Sequence, residues 1–124
     1  MTATKAAVLI VEDDPASLDV IVRLLRKNDF EPDVAASAGE ALLKLEADEL
    51  PAAVILDLRL PDANGGIVLR NIRRHQLPIR VAVVTGVSDP SIFTDLMKFP
   101  PDAVFKKPVD HRELLRWLTG TVRE

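Results

Sequence analysis

The chain of 124 residues contains no cysteine. Disulfide scaffolds, thiolate zinc sites and cysteine nucleophiles are therefore excluded. Its two histidines, His75 and His111, lie in separate segments and leave little for a multi-histidine metal site. A basic excess is also missing. Sixteen Lys and Arg against 19 Asp and Glu give a formal charge of −3, so no broad cationic face is available to grip a nucleic-acid backbone. Nor is there a long hydrophobic run. Ala6–Val11 is continuously apolar, but Glu12 and Asp13 follow at once, too soon for a signal-peptide core or a membrane span. A cytoplasmic location is the default expectation. No linker, repeat or low-complexity tract divides the chain, which is expected to be one domain over residues 1–124 with no second module.

What is present reads as a folded, water-soluble domain, with 48% hydrophobic residues and a mean hydropathy of +0.12. Apolar periodicity alternates regularly. Ala6–Val11 suits a strand buried on both faces. Leu18, Ile21, Val22 and Leu25 then recur at helical spacing. Pro32–Ala36 is a short strand, and Ala38, Ala41, Leu42 and Leu45 mark a second helix. Ala52–Leu58 is a third strand and Ile67–His75 a third helix, opened by Gly65 and Gly66. Ile79–Gly86 is a fourth strand, Pro90–Lys98 a less regular helix, Asp102–Lys107 a fifth strand and Asp110–Val122 a last helix. Five βα units in succession predict an α/β domain, a doubly wound parallel sheet with crossover helices on both faces.

Several acids have a local explanation. Asp14-Pro15 and Asp89-Pro90 each place an N-cap acid before a proline at the first helical position. Asp110 to Glu113 has capping-box spacing. These three aspartates are expected to cap helices and not to do chemistry.

Asp57 is different. It ends the apolar run Val54–Leu56, just before the turn "LPDANGG", and an ionised carboxylate there is costly to desolvate unless something pairs with it. In an open α/β sheet, ligands sit beyond the carboxyl ends of the strands. The first strand delivers Glu12 and Asp13 to that edge, the third Asp57, the fourth Thr85 with Gly86 behind it, and the fifth Lys107. Taken singly, each is a plausible turn, cap or surface residue. Together they bring three carboxylates, a hydroxyl and an amine to one crevice. Clustered carboxylates take up a proton or recruit a cation, and oxygen-only ligands favour a hard ion such as Mg²⁺. Mg²⁺ beside a lysine and a hydroxyl suits a phosphoryl group, with Asp57 as the carboxylate acceptor. Gly86 is expected to leave room for that group.

The four fragments "VLIVEDDP", "ILDLRLPDANG", "VVTG" and "FKKP", in that order, resemble the receiver domain of bacterial two-component response regulators. The resemblance covers nearly the whole chain, including 44 residues from Asp13 to Asp57 and 50 from Asp57 to Lys107. It implies a flavodoxin-like (βα)₅ fold of the stand-alone type, without an effector domain. Asp57 would accept a phosphoryl group from a phosphohistidine on a sensor histidine kinase or histidine phosphotransfer protein. Asp13 would bind Mg²⁺ directly, Glu12 through water, and the backbone carbonyl of Arg59 would be a further ligand. Thr85 would hydrogen-bond the phosphoryl group. Lys107, directly before Pro108, would be the conserved-type lysine of the pattern, with Lys106 a solvated charge and the Lys107–Pro108 peptide cis.

The same resemblance implies a protein that catalyses only its own phosphorylation and dephosphorylation, and so is not an enzyme in the ordinary sense. It would signal to an unknown protein target, without DNA or membrane contact, as a monomer or a weak phosphorylation-dependent dimer. Arg59 and Val87 would tune access of water to the phosphoryl group. One position departs from the pattern. An aromatic switch residue often stands three places before the lysine, where this chain has Val104, while Phe105 should face the other way. The usual coupling of threonine to a swinging ring is therefore not expected. Trp117 on the last helix serves either the core or an interface.

Other readings fit less well. A dehalogenase-like Mg²⁺-dependent phosphatase would want a second aspartate at Arg59. A nucleotide or flavin binder would want a glycine-rich turn where "VEDDPAS" offers acids. A phosphorylation-independent pseudo-receiver should lack some of the five residues, and this chain has them all.

Overall fold

A computed structural model describes residues 5–86, 96 and 98–122. Its strands are β1 (Ala6–Val11), β2 (Phe30–Ala35), β3 (Ala53–Asp57), β4 (Arg80–Thr85) and β5 (Ala103–Lys106). Its helices are α1 (Pro15–Lys27), α2 (Ala38–Lys44), α3 (Gly66–Arg74) and α4 (His111–Val122). All strand pairs are parallel, in the order β2-β1-β3-β4-β5. The order reverses between β1 and β3, the place where a doubly wound sheet opens a crevice.

Strand alternation divides the core into two. Leu9, Val11, Val54, Leu56, Val81 and Val83 pack with Val68, Leu69 and Ile72 of α3. Val8, Ile10, Ala53, Ile55 and Val84 face the opposite way, against Ile21 and Leu25 of α1 and Leu114 and Leu118 of α4. Successive residues of β1 and β3 thus feed opposite faces, as the two-residue strand period requires. Every residue of β3 is buried, so this strand is the axis of the fold. Each large aliphatic side chain removed from water here contributes about 1.5–3 kcal/mol.

Helix entry follows the sequence closely. Asp14 accepts from the Ser17 N–H at 3.1 Å, with Pro15 at the first helical position. Asp110 Oδ1 accepts from the N–H groups of Arg112 and Glu113, capping α4 as expected. Asp29 and Gln76, just beyond α1 and α3, adopt positive φ of 63° and 52° and turn the chain towards the next strand. The expected helix Pro90–Lys98, its cap Asp89 and also Val87 lie outside the described residues, apart from Leu96 and Lys98. Leu96 is buried against the α3 side of the core.

Strand β2 starts at Phe30, two residues before the expected Pro32. Pro32 has no N–H to give, but β2 is an edge strand, where that loss is tolerated. Fully buried Phe30 anchors the early start.

At the starting ends of β4 and β5, Asp102 accepts from the Val81 N–H at 2.7 Å and pairs with Arg73 at 2.9 Å and Arg80 at 3.4 Å. Arg73 also donates to the carbonyls of Pro100 and Ile79. One guanidinium of α3 therefore fastens both strands.

Candidate phosphoryl-acceptor site

Four neighbouring strands, β1, β3, β4 and β5, bring their carboxyl ends to one edge, as the sequence requires. Asp57 is the last residue of β3 and Thr85 the last of β4. Glu12 follows β1 and is held by its own N–H, which donates to Ala35 O at 3.0 Å. Lys107 follows β5 and donates its N–H to Thr85 O at 3.0 Å. Glu12, Asp57 and Thr85 are the buried polar residues among those described, at 4%, 6% and 4% exposure, while Asp13 faces solvent.

Lys107 Nζ lies 3.1 Å from Asp57 Oδ2 and 3.2 Å from Glu12 Oε1. Glu12 Oε2 accepts from the N–H groups of Asp13 and Asp14, and Asp57 Oδ1 accepts from the Arg59 N–H at 3.0 Å. Burial raises the Glu12 carboxyl above its ordinary value, and the hydrogen bond and charge of Asp57 add to the rise. Burial pulls the Lys107 ammonium down, but its bonds to Asp57 and Glu12 outweigh this and leave it raised. The lysine thus stays charged between two carboxylates.

One carboxylate oxygen from each of Glu12, Asp13 and Asp57 falls within a set spanning no more than 4.8 Å. Three oxygen donors, with no histidine or thiolate, fit Mg²⁺. The excess of carboxylate over ammonium also favours a cation there.

The loop between β3 and α3 is shaped by its own backbone. Gly65 N–H donates to Leu58 O at 2.9 Å, and Arg59 and Asn64 form an isolated antiparallel bridge. A Cβ on Gly65 would overlap the carbonyl oxygen of Asp57 itself, so the turn is passable only for glycine. Gly86 is less constrained. A Cβ there would meet the Lys107 stem at 3.5 Å, an ordinary contact, so its expected role of leaving space is not a steric requirement of this conformation.

Asp62 gave no signal in the sequence. Its two carboxylate oxygens each accept at 2.9 Å, from the N–H groups of Ala38 and Gly39 at the start of α2. Hydrogen bonds from Gly39 first and Ala38 second hold it below the usual carboxylate value. The loop after Asp57 is thereby clamped to α2 across more than 20 residues of sequence, a separation that no local pattern spans.

Lys106 is exposed and the Lys107–Pro108 peptide is cis. Val104 is 47% exposed, whereas Phe105 turns to the α1–α4 side. There it meets half-buried Trp117 edge-on, with ring centroids 6.4 Å apart, so this tryptophan packs against the core.

An open five-stranded parallel α/β sheet with a lysine-paired aspartate and an acidic cluster at its carboxyl edge is the architecture of a receiver-type domain. The family model for the response regulator receiver domain matches residues 8–119, and the chain belongs to that family. It is 37% identical over 112 residues to a Haloferax volcanii protein provisionally named a transcriptional regulator, covering 90% of this chain and 18% of that one. It is 31% identical over 110 residues to the photosynthetic apparatus regulatory protein RegA of Rhodobacter capsulatus, covering 87% and 58%. The chain therefore spans only part of the length of these relatives. Among solved structures, a CheY-like response regulator receiver domain protein of Methanospirillum hungatei superposes with a TM-score of 0.86 at 31% identity, over 94% and 92% of the two chains. A response regulator receiver protein of Pseudomonas putida gives 0.86 at 27%, over 96% and 99%.

Proposed function

We propose that Asp57 accepts a phosphoryl group from a phosphohistidine of a sensor histidine kinase or histidine phosphotransfer protein, and that the chain then signals to a protein target and dephosphorylates itself. The observation that carries this reading is the ion pair of Lys107 with buried Asp57, inside an acidic cluster with Glu12 and Asp13. In the transfer, an Asp57 carboxylate oxygen forms a bond to phosphorus as the imidazole N–P bond breaks, and the imidazole leaves. Hydrolysis reverses the fate of Asp57: water adds to phosphorus and the carboxylate is released.

Each side chain has a part. Lys107 is positioned to follow negative charge from the carboxylate to a phosphoryl oxygen, a preorganised form of stabilisation. Thr85 supplies a hydroxyl at the end of the adjacent strand. Glu12, Asp13, Asp57 and the Arg59 carbonyl would hold Mg²⁺, which when bound would supply positive charge for the phosphoryl oxygens. Arg59 reaches solvent beside the acceptor and would tune water access. With Val104 outward, Thr85 would pass its signal on without a ring swinging at that position. The setting is cytoplasmic. No helix among the described residues is long and apolar enough to cross a membrane. The names of the relatives speak of transcriptional regulators, and contact with DNA is not assigned to this chain's own surface.

The test is intact mass after incubation with a small phosphodonor, with and without Mg²⁺, on wild type and Asp57→Asn. A Mg²⁺-dependent gain of one phosphoryl group, lost in the variant, is expected. A folded wild type that gains nothing from either a small donor or a phosphorylated kinase would overturn the proposal and favour a pseudo-receiver.

A further inference from the structure

Beside α3 lies a groove of about 220 Å³. Arg70 and Arg74, four residues apart on the helix, line it together with Lys98. Ile67, Leu96 and Phe99 are among the residues that give its lining an apolar part. The guanidinium of Arg74 sits over the Phe99 ring, 5.6 Å from its centroid, which restricts its motion before any ligand arrives.

Two contrasts set these cations apart. Their neighbour Arg73 is spent on Asp102 and two carbonyls, whereas no ion pair engages Arg70, Arg74 or Lys98 among the described residues. Among the described residues, no acid lines the groove either. In a chain with a net charge of −3, three cations around one apolar-lined groove are a local reversal of sign. A solvated basic face would need neither the groove nor the stacked guanidinium.

We propose that this groove docks a segment of a partner protein carrying carboxylates on either side of one apolar side chain. The carboxylates would meet Arg70, Arg74 and Lys98, and the apolar residue would enter between Ile67, Leu96 and Phe99. The size favours this occupant over a free cofactor, since pockets for drug-sized ligands run to about 300–1,000 Å³. Duplex DNA, a convex polyanion, has no group to fill an apolar-lined cleft of this size. The inference stands apart from phosphoryl transfer, because none of the charged or apolar groove residues it uses belongs to the acceptor site.

The test is a titration of isotope-labelled protein, followed by amide chemical shifts, with the acetylated peptide Glu-Leu-Glu-Glu-Leu-Glu. Controls are the same peptide with glutamine for leucine, its lysine-for-glutamate counterpart, and a short DNA duplex. Shifts concentrated in α3 and residues 98–99 are expected, with affinity falling about tenfold or more in Arg70→Glu/Lys98→Glu. Both substituted residues are exposed, and the spectrum itself reports whether the variant is folded. Asp57→Asn should bind as wild type does, so an inert acceptor site would not obscure the result. Equal binding of the glutamine peptide would reduce the groove to unspecific charge attraction and overturn the proposal. Shifts scattered over the surface would also overturn it, as would the same amides responding to DNA and not to the peptide.

Discussion

Lys107 reaches Asp57 at 3.1 Å although their strands are not neighbours, since β4 lies between β3 and β5. The lysine stem therefore crosses the end of β4, passing over Gly86. The ammonium ties three elements together, because the same atom also meets Glu12 after β1. Substituting Asp57 by asparagine removes one buried carboxylate and leaves Lys107 for Glu12 alone. The Glu12 carboxyl, raised by burial and by Asp57, should then fall towards its ordinary value of 4.5. A raised native pKa gives stability that is full below 4.5 and lost as pH rises through the native value. In metal-free buffer, the Tm advantage of Asp57→Asn over wild type should thus grow from near pH 4.5 upwards. A pH-independent difference between the two melting curves would contradict this account.

Mg²⁺ should stabilise the wild type by mass action, by about 2.7 kcal/mol at a concentration one hundred times its Kd. Asp13 is exposed, so Asp13→Asn should fold normally and melt near wild type without the metal. It should lose most of the Mg²⁺-induced shift. Thermal melts with EDTA and with excess Mg²⁺ decide the matter, and an undiminished shift in the variant would remove Asp13 from the ligand set.

Two glycines predict opposite signs. Gly65→Ala drives a Cβ into the Asp57 carbonyl, backbone that cannot swing aside, and should cost roughly 1–3 kcal/mol or more in urea unfolding. Phosphorylation should slow as well, because the displaced strand end carries Asp57, the proposed acceptor. Gly120→Ala lies in α4, where a Cβ meets nothing within 4 Å. It should stabilise by about 0.5–1 kcal/mol through helix propensity alone.

The Asp62 clamp is legible in pH. Its carboxyl is depressed below 3.8 by the Gly39 and Ala38 amides, so its contribution is full above that value and lost as pH falls through the lowered native pKa. Asp62→Ala should lower stability at pH 7 and converge on wild type at strongly acid pH. Asp62→Asn keeps an acceptor oxygen and should recover part of the loss. If phosphorylation rates in Asp62→Ala remain at the wild-type value while stability falls, the clamp serves the fold and not the placement of the acceptor loop.

Much of this architecture was legible because its signals are local or periodic. The apolar runs of β1, β3 and β4 and the stripes of α1 and α4 announce themselves within ten or so residues. The edge site followed from strand ends alone, since a parallel sheet delivers Glu12, Asp57, Thr85 and Lys107 to the same side. What escaped was set by distant geometry. Asp62 meets amides more than 20 residues earlier, and the need for Gly65 arises where the chain folds back on a carbonyl eight residues behind it. Arg73 reads in sequence like Arg70 and Arg74, and only the placement of Asp102 separates the engaged guanidinium from the other two.

Asp102 also gives the sheet a direction of compliance. At their starting ends, β4 and β5 are riveted to α3 by an arginine with three acceptors and by an aspartate with three donors. At their finishing ends, the pair is held mainly by ladder bonds and by the lysine over the acceptor pocket. Strain introduced at the pocket would therefore relax by fanning the strands about a fixed heel, sparing the far end of the molecule.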